Sequence, residues 1–139
     1  MKKCLYVIAG LMLLCTVGCT DKKVAQAELA AQDAAADWLE LVDNGQYEES
    51  WHQTAQFFKN AVPKEKWLET MQALRDPLGR NLSRELQSAL YRTTLKGAPD
   101  GEYVVIKIES VYENKAAAKE IITPMMDNGE WKVAGYYLN

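Results

Sequence analysis

The fold is decided by residues 103–138, which read YVVIKIESVYENKAAAKEIITPMMDNGEWKVAGYYL. Runs rich in Val, Ile and Tyr alternate there with polar residues, and a period of two is typical of β-strands. Glu113-Asn114-Lys115 and Asp127-Asn128-Gly129 interrupt the runs, and Asn-Gly tolerates the positive φ that a tight hairpin needs. The predicted strands are Tyr103–Tyr112, Ala117–Met126 and Trp131–Leu138.

One more strand is predicted upstream, at Leu82–Leu95, where Leu82, Leu86 and Leu90 are separated by polar neighbours. Gly97-Ala98-Pro99-Asp100-Gly101 follows as a hairpin loop, because Pro, Asp and Gly are turn residues. Connections of hairpin length force neighbouring strands to run antiparallel. The second half of the chain therefore predicts a four-stranded antiparallel sheet.

The residues before Gly79 have the 3.6-residue period of helices instead. Three helices are predicted, over Lys22–Asn44, Tyr47–Phe58 and Pro63–Leu74. Asn44-Gly45 and Asp76-Pro77 supply residues that end helices. The sequence thus predicts an α+β domain in which three N-terminal helices pack on a curled four-stranded antiparallel sheet.

The first residues have the layout of a secretory signal. Met1-Lys2-Lys3 is positive, and Cys4–Val17 is almost wholly apolar but shorter than the ~20 residues that span a bilayer as a helix. The run ends in Gly18-Cys19, after which the chain becomes polar at once. This end resembles a bacterial lipobox, in which a small residue precedes the cysteine that receives lipid, although Thr16 replaces the usual aliphatic residue.

The lipobox resemblance implies a lipoprotein signal peptide at 1–18, a lipidated and tethering segment at 19–24, and a single domain at 25–139. Acyl chains on Cys19 would anchor that domain to a membrane. Thr20, rather than Asp, follows the cysteine, so the resemblance favours the periplasmic face of the outer membrane. Retention at the inner membrane and a soluble periplasmic protein without lipid are the alternatives.

Composition bounds the possible activities. The 139 residues carry 16 Lys and Arg against 19 Asp and Glu, which gives a net charge of −3 and room for one domain. Loss of residues 1–18 would leave a net charge of −5 and Cys19 as the sole thiol, so that no disulfide could form within the chain. An acidic chain does not favour nucleic acid as a partner. With His52 as the only histidine, a common zinc or copper site cannot be assembled, and we expect no metal and no cofactor.

A buried carboxylate is the first candidate for a site. Lys119 and Glu120 point to opposite faces of a strand. If Glu120 faces the helices, it needs a cation or other donors, and Arg84 or Arg75 is the natural partner. Such a pair is either a structural ion pair or a group that grips a ligand. The residues assigned to a possible ligand or structural pocket are Arg84, Tyr103, Glu120 and Tyr136.

Catalytic groups are the second candidate. An isomerase would need a carboxylate base and a donor that holds an oxyanion. Asp43 or Glu120 could serve as the base, and the donors available are Tyr103, Tyr112 and Tyr136. His52 falls between the aromatic and polar faces of its predicted helix, so we expect a surface residue, with general acid catalysis as the alternative. None of these residues is assigned as catalytic.

Several separated stretches carry a family resemblance. Residues 35–47 read AADWLELVDNGQY, residues 97–105 read GAPDGEYVV, and residues 131–136 read WKVAGY. These stretches resemble domain-of-unknown-function family 4019 over roughly residues 30–138, a family with no established activity. Helices followed by a curled sheet also resemble the cystatin and nuclear transport factor 2-like cones, and the latter fold hosts binders, scaffolds and isomerases.

Three functional hypotheses follow. The first is a membrane-anchored periplasmic lipoprotein whose non-catalytic domain binds a protein or a small ligand. The alternative is a small isomerase- or hydratase-like enzyme with a pocket between the helices and the sheet. The third is a purely structural component of the cell envelope.

Overall fold

The computed structural model describes residues 17–139, in which helices precede a sheet. Residues 1–16 of the predicted signal peptide, 1–18, lie outside the described residues. The helices are α1 (Val17–Asp43), α2 (Tyr47–His52), α3 (Gln56–Ala61) and α4 (Lys64–Arg75), followed by a 3₁₀ turn at Asp76–Leu78. The strands are β1 (Asn81–Arg92), β2 (Tyr103–Tyr112), β3 (Lys115–Asp127) and β4 (Glu130–Leu138).

The four strands form one antiparallel sheet in the order β1-β2-β3-β4. In the β3–β4 turn, Asn128 and Gly129 have φ values of 51° and 84°, the positive values that a two-residue hairpin requires. The predicted α+β class with a curled antiparallel sheet is confirmed. The first strand ends at Arg92, earlier than the predicted Leu95.

The core lies between the helices and one face of the sheet. Strand register places Ile106 beside Ile122, and Ile122 beside Tyr136. Trp38 packs between the layers, because its ring centroid lies 5.3 Å from that of Tyr136 and 5.9 Å from that of Trp67. Small side chains let α1 approach the sheet closely, and its buried face comprises Ala31, Ala35, Trp38, Leu39 and Val42.

The prediction of one helix over residues 47–58 is wrong, because this segment forms α2 and α3 with a break between them. The Thr54 hydroxyl donates to the carbonyl of Trp51 at 2.7 Å and competes with helix continuation. Ala55 is extended, with φ −61° and ψ 151°, and its N–H donates to the Val133 carbonyl of β4 at 2.9 Å. A hydrogen bond to the sheet thus replaces one within a helix, and the described chain has four α-helices rather than three.

The leucines of β1 lie on the surface. Leu82, Leu86 and Leu90 are 58%, 50% and 41% exposed. Register shifts that place one extra residue at Leu82 and another at Gln87 interrupt the alternation along this outer strand. Hydrophobic alternation alone therefore does not identify the buried face of β1.

Both outer strands of the sheet are contacted by helical segments. On β1, the Tyr91 N–H donates to the Glu28 carboxylate of α1 at 2.9 Å. On β4, the Val133 carbonyl accepts the Ala55 N–H at the start of α3. These contacts occupy main-chain groups that an outer strand would otherwise expose.

Helix α1 begins well before the part that packs on the core. Its first buried residue is Ala31, and no described residue from Gly18 to Ala30 is classed as buried. Residues 20–24, expected to form part of a tether, are helical. None of the helices described here is long and apolar enough to cross a membrane.

Candidate functional site

Glu120 is the centre of a buried polar cluster. It faces the helices from the middle of β3 and has no exposed surface. Its Oε1 atom accepts hydrogen bonds from Arg84 Nε at 2.8 Å, from the Ser110 hydroxyl at 2.5 Å and from the Tyr112 hydroxyl at 2.8 Å. Its Oε2 atom accepts the Tyr136 hydroxyl at 2.6 Å. Every oxygen of this carboxylate is therefore committed to a donor from the domain itself.

Arg84 joins Glu120 to a second carboxylate at the end of α1. Its terminal nitrogens contact both oxygens of Asp43, at 2.5 and 2.8 Å, in a bidentate pair. The register shift at Leu82 keeps Arg84 opposite Ser110 of β2, on the face that carries Glu120. A single guanidinium thereby links the first strand to α1 and to the middle of the sheet.

Arg75, at the end of α4, completes the cluster. One terminal nitrogen donates to Asp43 at 2.6 Å and the other to the Tyr136 hydroxyl at 3.2 Å. Its guanidinium lies 4.8 Å from the ring centroid of Tyr112, within the range of a cation–π contact. Its Nε atom is buried and has no hydrogen-bond partner among the described residues. The cluster joins α1 and α4 to all four strands.

The two carboxyl groups are stabilised in their charged forms. Burial raises the pKa of Glu120, but the Arg84 charge and the donated hydrogen bonds outweigh burial and hold that pKa below its usual range. Burial likewise opposes ionisation of Asp43, and hydrogen bonds from Arg84 and Arg75 lower its pKa. Both carboxylates are therefore ionised at neutral pH, and both accept hydrogen bonds from the domain itself.

The tyrosines of the cluster are stabilised in their neutral forms. Burial and the nearby Glu120 charge raise the pKa of Tyr112 to about 12. The same two causes raise the pKa of Tyr136 well above its usual range. Both phenols are therefore protonated donors at neutral pH.

The charges of the cluster balance, since two guanidinium groups face two carboxylates. A general base needs a pKa near the working pH and a lone pair that reaches the substrate. Glu120 has neither, and Asp43 also has a lowered pKa and accepts on both oxygens. Within residues 17–139, no group of three or more His, Cys, Asp or Glu side chains is arranged to hold a metal ion. The geometry is suited to holding elements together rather than to proton transfer.

Two open grooves are lined by charged residues of this cluster. One, of about 320 Å³, lies between α1 and strands β1 and β2, and is lined by Gln32, Asp33 and Arg84 together with apolar side chains. The other, of about 310 Å³, is lined by Asp43, Arg75 and neighbouring polar residues. Glu120 lines neither groove. A ligand in either groove would meet the rim of the cluster and not its central carboxylate.

The structure brings together three of the four residues assigned from the sequence, Arg84, Glu120 and Tyr136. Tyr103 lies apart from them, because its position in β2 is an odd number of residues from Ser110 and alternation turns it to the other face. There it is buried beside the β1–β2 loop, and its hydroxyl donates to the Pro99 carbonyl at 2.5 Å.

Ser110 was missed by the sequence analysis, although the same alternation that places Tyr112 inward also places Ser110 inward. His52 lies outside the cluster with a half-exposed side chain, and its Nε2 is 3.6 Å from Glu48. The pairing of Glu120 with Arg84 is the predicted ion pair, and Arg75, the other candidate cation, contacts it through Tyr136.

The class of this domain is α+β, with four helices on one face of an antiparallel sheet and a cluster of Arg, Asp, Glu and Tyr side chains, centred on the buried Glu120, that joins helices to strands. A family model described as "Protein of unknown function (DUF4019)" matches residues 34–136. The chain belongs to this family, and the matched segment contains every residue of the cluster from Asp43 to Tyr136. No curated protein matches the chain.

Proposed function

We propose that this protein is a lipid-anchored periplasmic domain with a non-catalytic role, in which the folded part binds a protein or a small ligand. The observation that carries the non-catalytic part is the saturation of Glu120 and Asp43 by donors from the domain itself. The support for the anchor is the apolar run that ends in Gly18-Cys19 and the polar sequence after it. Membrane anchoring and periplasmic location are proposals from sequence.

In this proposal, removal of residues 1–18 exposes Cys19 as the first residue, and its acyl chains insert into the outer membrane from the periplasmic side. Each buried methylene contributes ~0.8 kcal/mol, so several chains make attachment effectively permanent. The order of helices and curled sheet further supports a relation to the cone-shaped nuclear transport factor 2-like and cystatin folds. That relation is also part of the proposal.

The first experiment tests the anchor with two cysteine variants of the full chain expressed in a bacterium. We expect Cys19→Ser to move the protein from the membrane to the soluble fraction and to remove the acyl mass. Cys15→Ser is the matched control, because that cysteine lies in the segment to be removed, and its variant should remain acylated. Separation of inner and outer membranes on a density gradient tests the location. Wild-type protein with an unmodified amino terminus would overturn the lipoprotein proposal.

The second experiment tests binding against catalysis. Native mass spectrometry of the protein extracted from its own membranes should show a retained small molecule or a co-purified protein. Glu120→Gln that folds and still retains this ligand would agree with a non-catalytic cluster outside the binding groove. A retained molecule that wild-type protein converts and the variant does not would overturn the non-catalytic part and favour the isomerase hypothesis.

A further inference from the structure

Helix α1 runs alongside β1 and is joined to it at two points. The Glu28 carboxylate accepts the Tyr91 N–H at 2.9 Å. The Asp43 carboxylate accepts two hydrogen bonds from Arg84. At 1.5 Å per residue, the helix covers about 22 Å between these two carboxylates. At 3.3 Å per residue, the strand covers about 23 Å between their two partners. Because the two lengths agree, the helix and the strand lie nearly side by side and run in opposite directions.

Contacts with β4 give α1 the same direction. The ring centroid of Trp38 lies 5.3 Å from that of Tyr136. Ala34, one turn earlier in the helix, lines a groove together with Trp131 and Val133, which come earlier in β4. The start of the helix therefore lies at the end of the sheet that carries the β1–β2 loop and the β3–β4 turn. The end of the helix lies toward the β2–β3 turn.

Upstream of Glu28, α1 continues past this end of the sheet. Residues 19–27 are helical, and none of their side chains that the structure describes is buried. At 1.5 Å per residue, residue 19 lies about 13 Å along the helix axis from Glu28, well beyond the end of β1 at Arg92. The start of the helix therefore projects from the domain at the end that carries the β1–β2 loop.

The projecting part is helical because it extends a helix that is already formed. Nucleation is the costly step of helix formation, and the packed residues 28–43 supply the nucleus. Each added residue then gains a hydrogen bond, and Ala25 and Ala27 are of the residue type with the highest helix propensity. Processing at Cys19 would also place Asp21 in the first turn, where a negative charge is favourable. Residues 19–27 thus form a stiff helical stalk.

We infer that this stalk holds one end of the domain toward the bilayer and presents the opposite end to the aqueous phase. The inference rests on the proposed lipid at Cys19 and goes beyond it, because a flexible tether would let the domain turn freely. The near end carries the β1–β2 loop and the β3–β4 turn. The far end carries the β2–β3 turn and an open groove of about 620 Å³ lined by Ser83, Lys115 and Ala117 among others. A soluble partner therefore meets the far end first.

Energy transfer from the domain to a labelled bilayer tests this orientation. The full chain is expressed in a bacterium, and mass spectrometry checks for acyl groups on Cys19. The purified protein is then placed in vesicles of phosphatidylethanolamine and phosphatidylglycerol that contain a rhodamine-labelled lipid. Thr94→Cys at the near end and Ala116→Cys at the far end each introduce one thiol at an exposed position. A membrane-impermeant maleimide dye, added after reconstitution, labels the domains on the outer side of the vesicles.

The dye at the far end should lie at least about 20 Å farther from the bilayer than the dye at the near end, since β1 between the two ends is about 36 Å long. Ala25→Pro combined with Gln26→Gly breaks the stalk ahead of Glu28 and should reduce this difference to less than about half. The exchange Ala25→Gln with Gln26→Ala is the matched control, because it keeps the composition and the helix, and it should leave the difference unchanged. Circular dichroism checks that each variant is folded.

The outcomes separate the stalk from the anchor. Acylated protein whose two dyes lie at equal distances from the bilayer would overturn the orientation and leave the anchor standing. A broken-stalk variant that keeps the full difference would do the same. Protein that carries no acyl groups and does not bind the vesicles would overturn the anchor, and the orientation with it.

Discussion

Replacing Glu120 with Gln tests whether the buried cluster holds the helices to the sheet. Gln keeps the shape of the side chain but removes its charge, so Arg84 and Arg75 face Asp43 alone. It also places an amide N–H₂ where a carboxylate oxygen now accepts a hydrogen bond from Tyr136. Removing one partner of a buried ion pair costs about 3–5 kcal/mol, and the conserved shape puts this change near the lower end, at about 3 kcal/mol.

Urea unfolding followed by tryptophan fluorescence measures this loss, because Trp38 packs 5.3 Å from Tyr136 of the cluster. With a denaturant dependence of about 1–2 kcal/mol per molar urea, the midpoint should fall by roughly 2 M. Glu109→Gln is the control: Glu109 is exposed on the other face of the sheet, and the change should stay within about 0.5 kcal/mol. A Glu120→Gln variant within about 1 kcal/mol of wild type would refute the structural role of the cluster.

Three further predictions follow from the same structure. The folded-state pKa values of Asp43 and Glu120 lie below the ordinary values of 3.8 and 4.5, so the stability that these groups contribute is complete above the ordinary values. This stability is lost as the pH falls through the lowered pKa values. The urea midpoint of the wild type should therefore decline at acid pH, and that of Glu120→Gln should decline less steeply. Because the pKa of Tyr136 is raised, its contribution to stability is complete below the ordinary pKa of 10 and is lost as the pH rises beyond that value. A spectroscopic titration of the phenols should show ionisation of Tyr136 only together with unfolding. Ionisation of every tyrosine in a domain that is still folded would contradict this prediction. Gly79→Ala should destabilise the domain by about 2 kcal/mol or more, since φ is +72° and an added Cβ atom would lie 3.0 Å from the Cβ atom of Glu113 in the β2–β3 turn. Gly45→Ala, at a φ of +70° but in open space, should cost about 1 kcal/mol, and equal urea midpoints for the two variants would count against a steric cause.

Much of the fold is readable from the sequence because it rests on local periodicity. The Asn128-Gly129 turn and the alternating runs around it predict the last hairpin, and the structure has it. The break at Thr54 and Ala55 was not predictable, since it depends on a hydrogen bond to Val133 far along the chain. The bulges at Leu82 and Gln87 of β1 were also not predictable, because they arise from pairing with β2 and not from the composition of β1.

The cluster could be predicted in part. Strand alternation turns Glu120 inward, and a buried carboxylate requires a cation, which predicted Arg84. The same rule, applied to β2, would have selected Ser110 and rejected Tyr103. Strand alternation does not predict how far apart a helix and a strand lie. The contacts of Asp43 with Arg75 and Arg84 could therefore be found only from the structure.

The capped outer strands restrict how another molecule can recognise this domain. A peptide that joins a sheet does so by matching a row of vacant amide and carbonyl groups. Here Glu28 from α1 takes one such group on the first strand, the amide of Ala55 takes another on the last, and bulges distort the first strand further. Crowded copies would therefore resist merging into extended β-structure. Ligands recognised through side-chain chemistry do not meet these obstacles, so libraries of folded or small-molecule ligands are a better starting point than extended peptides.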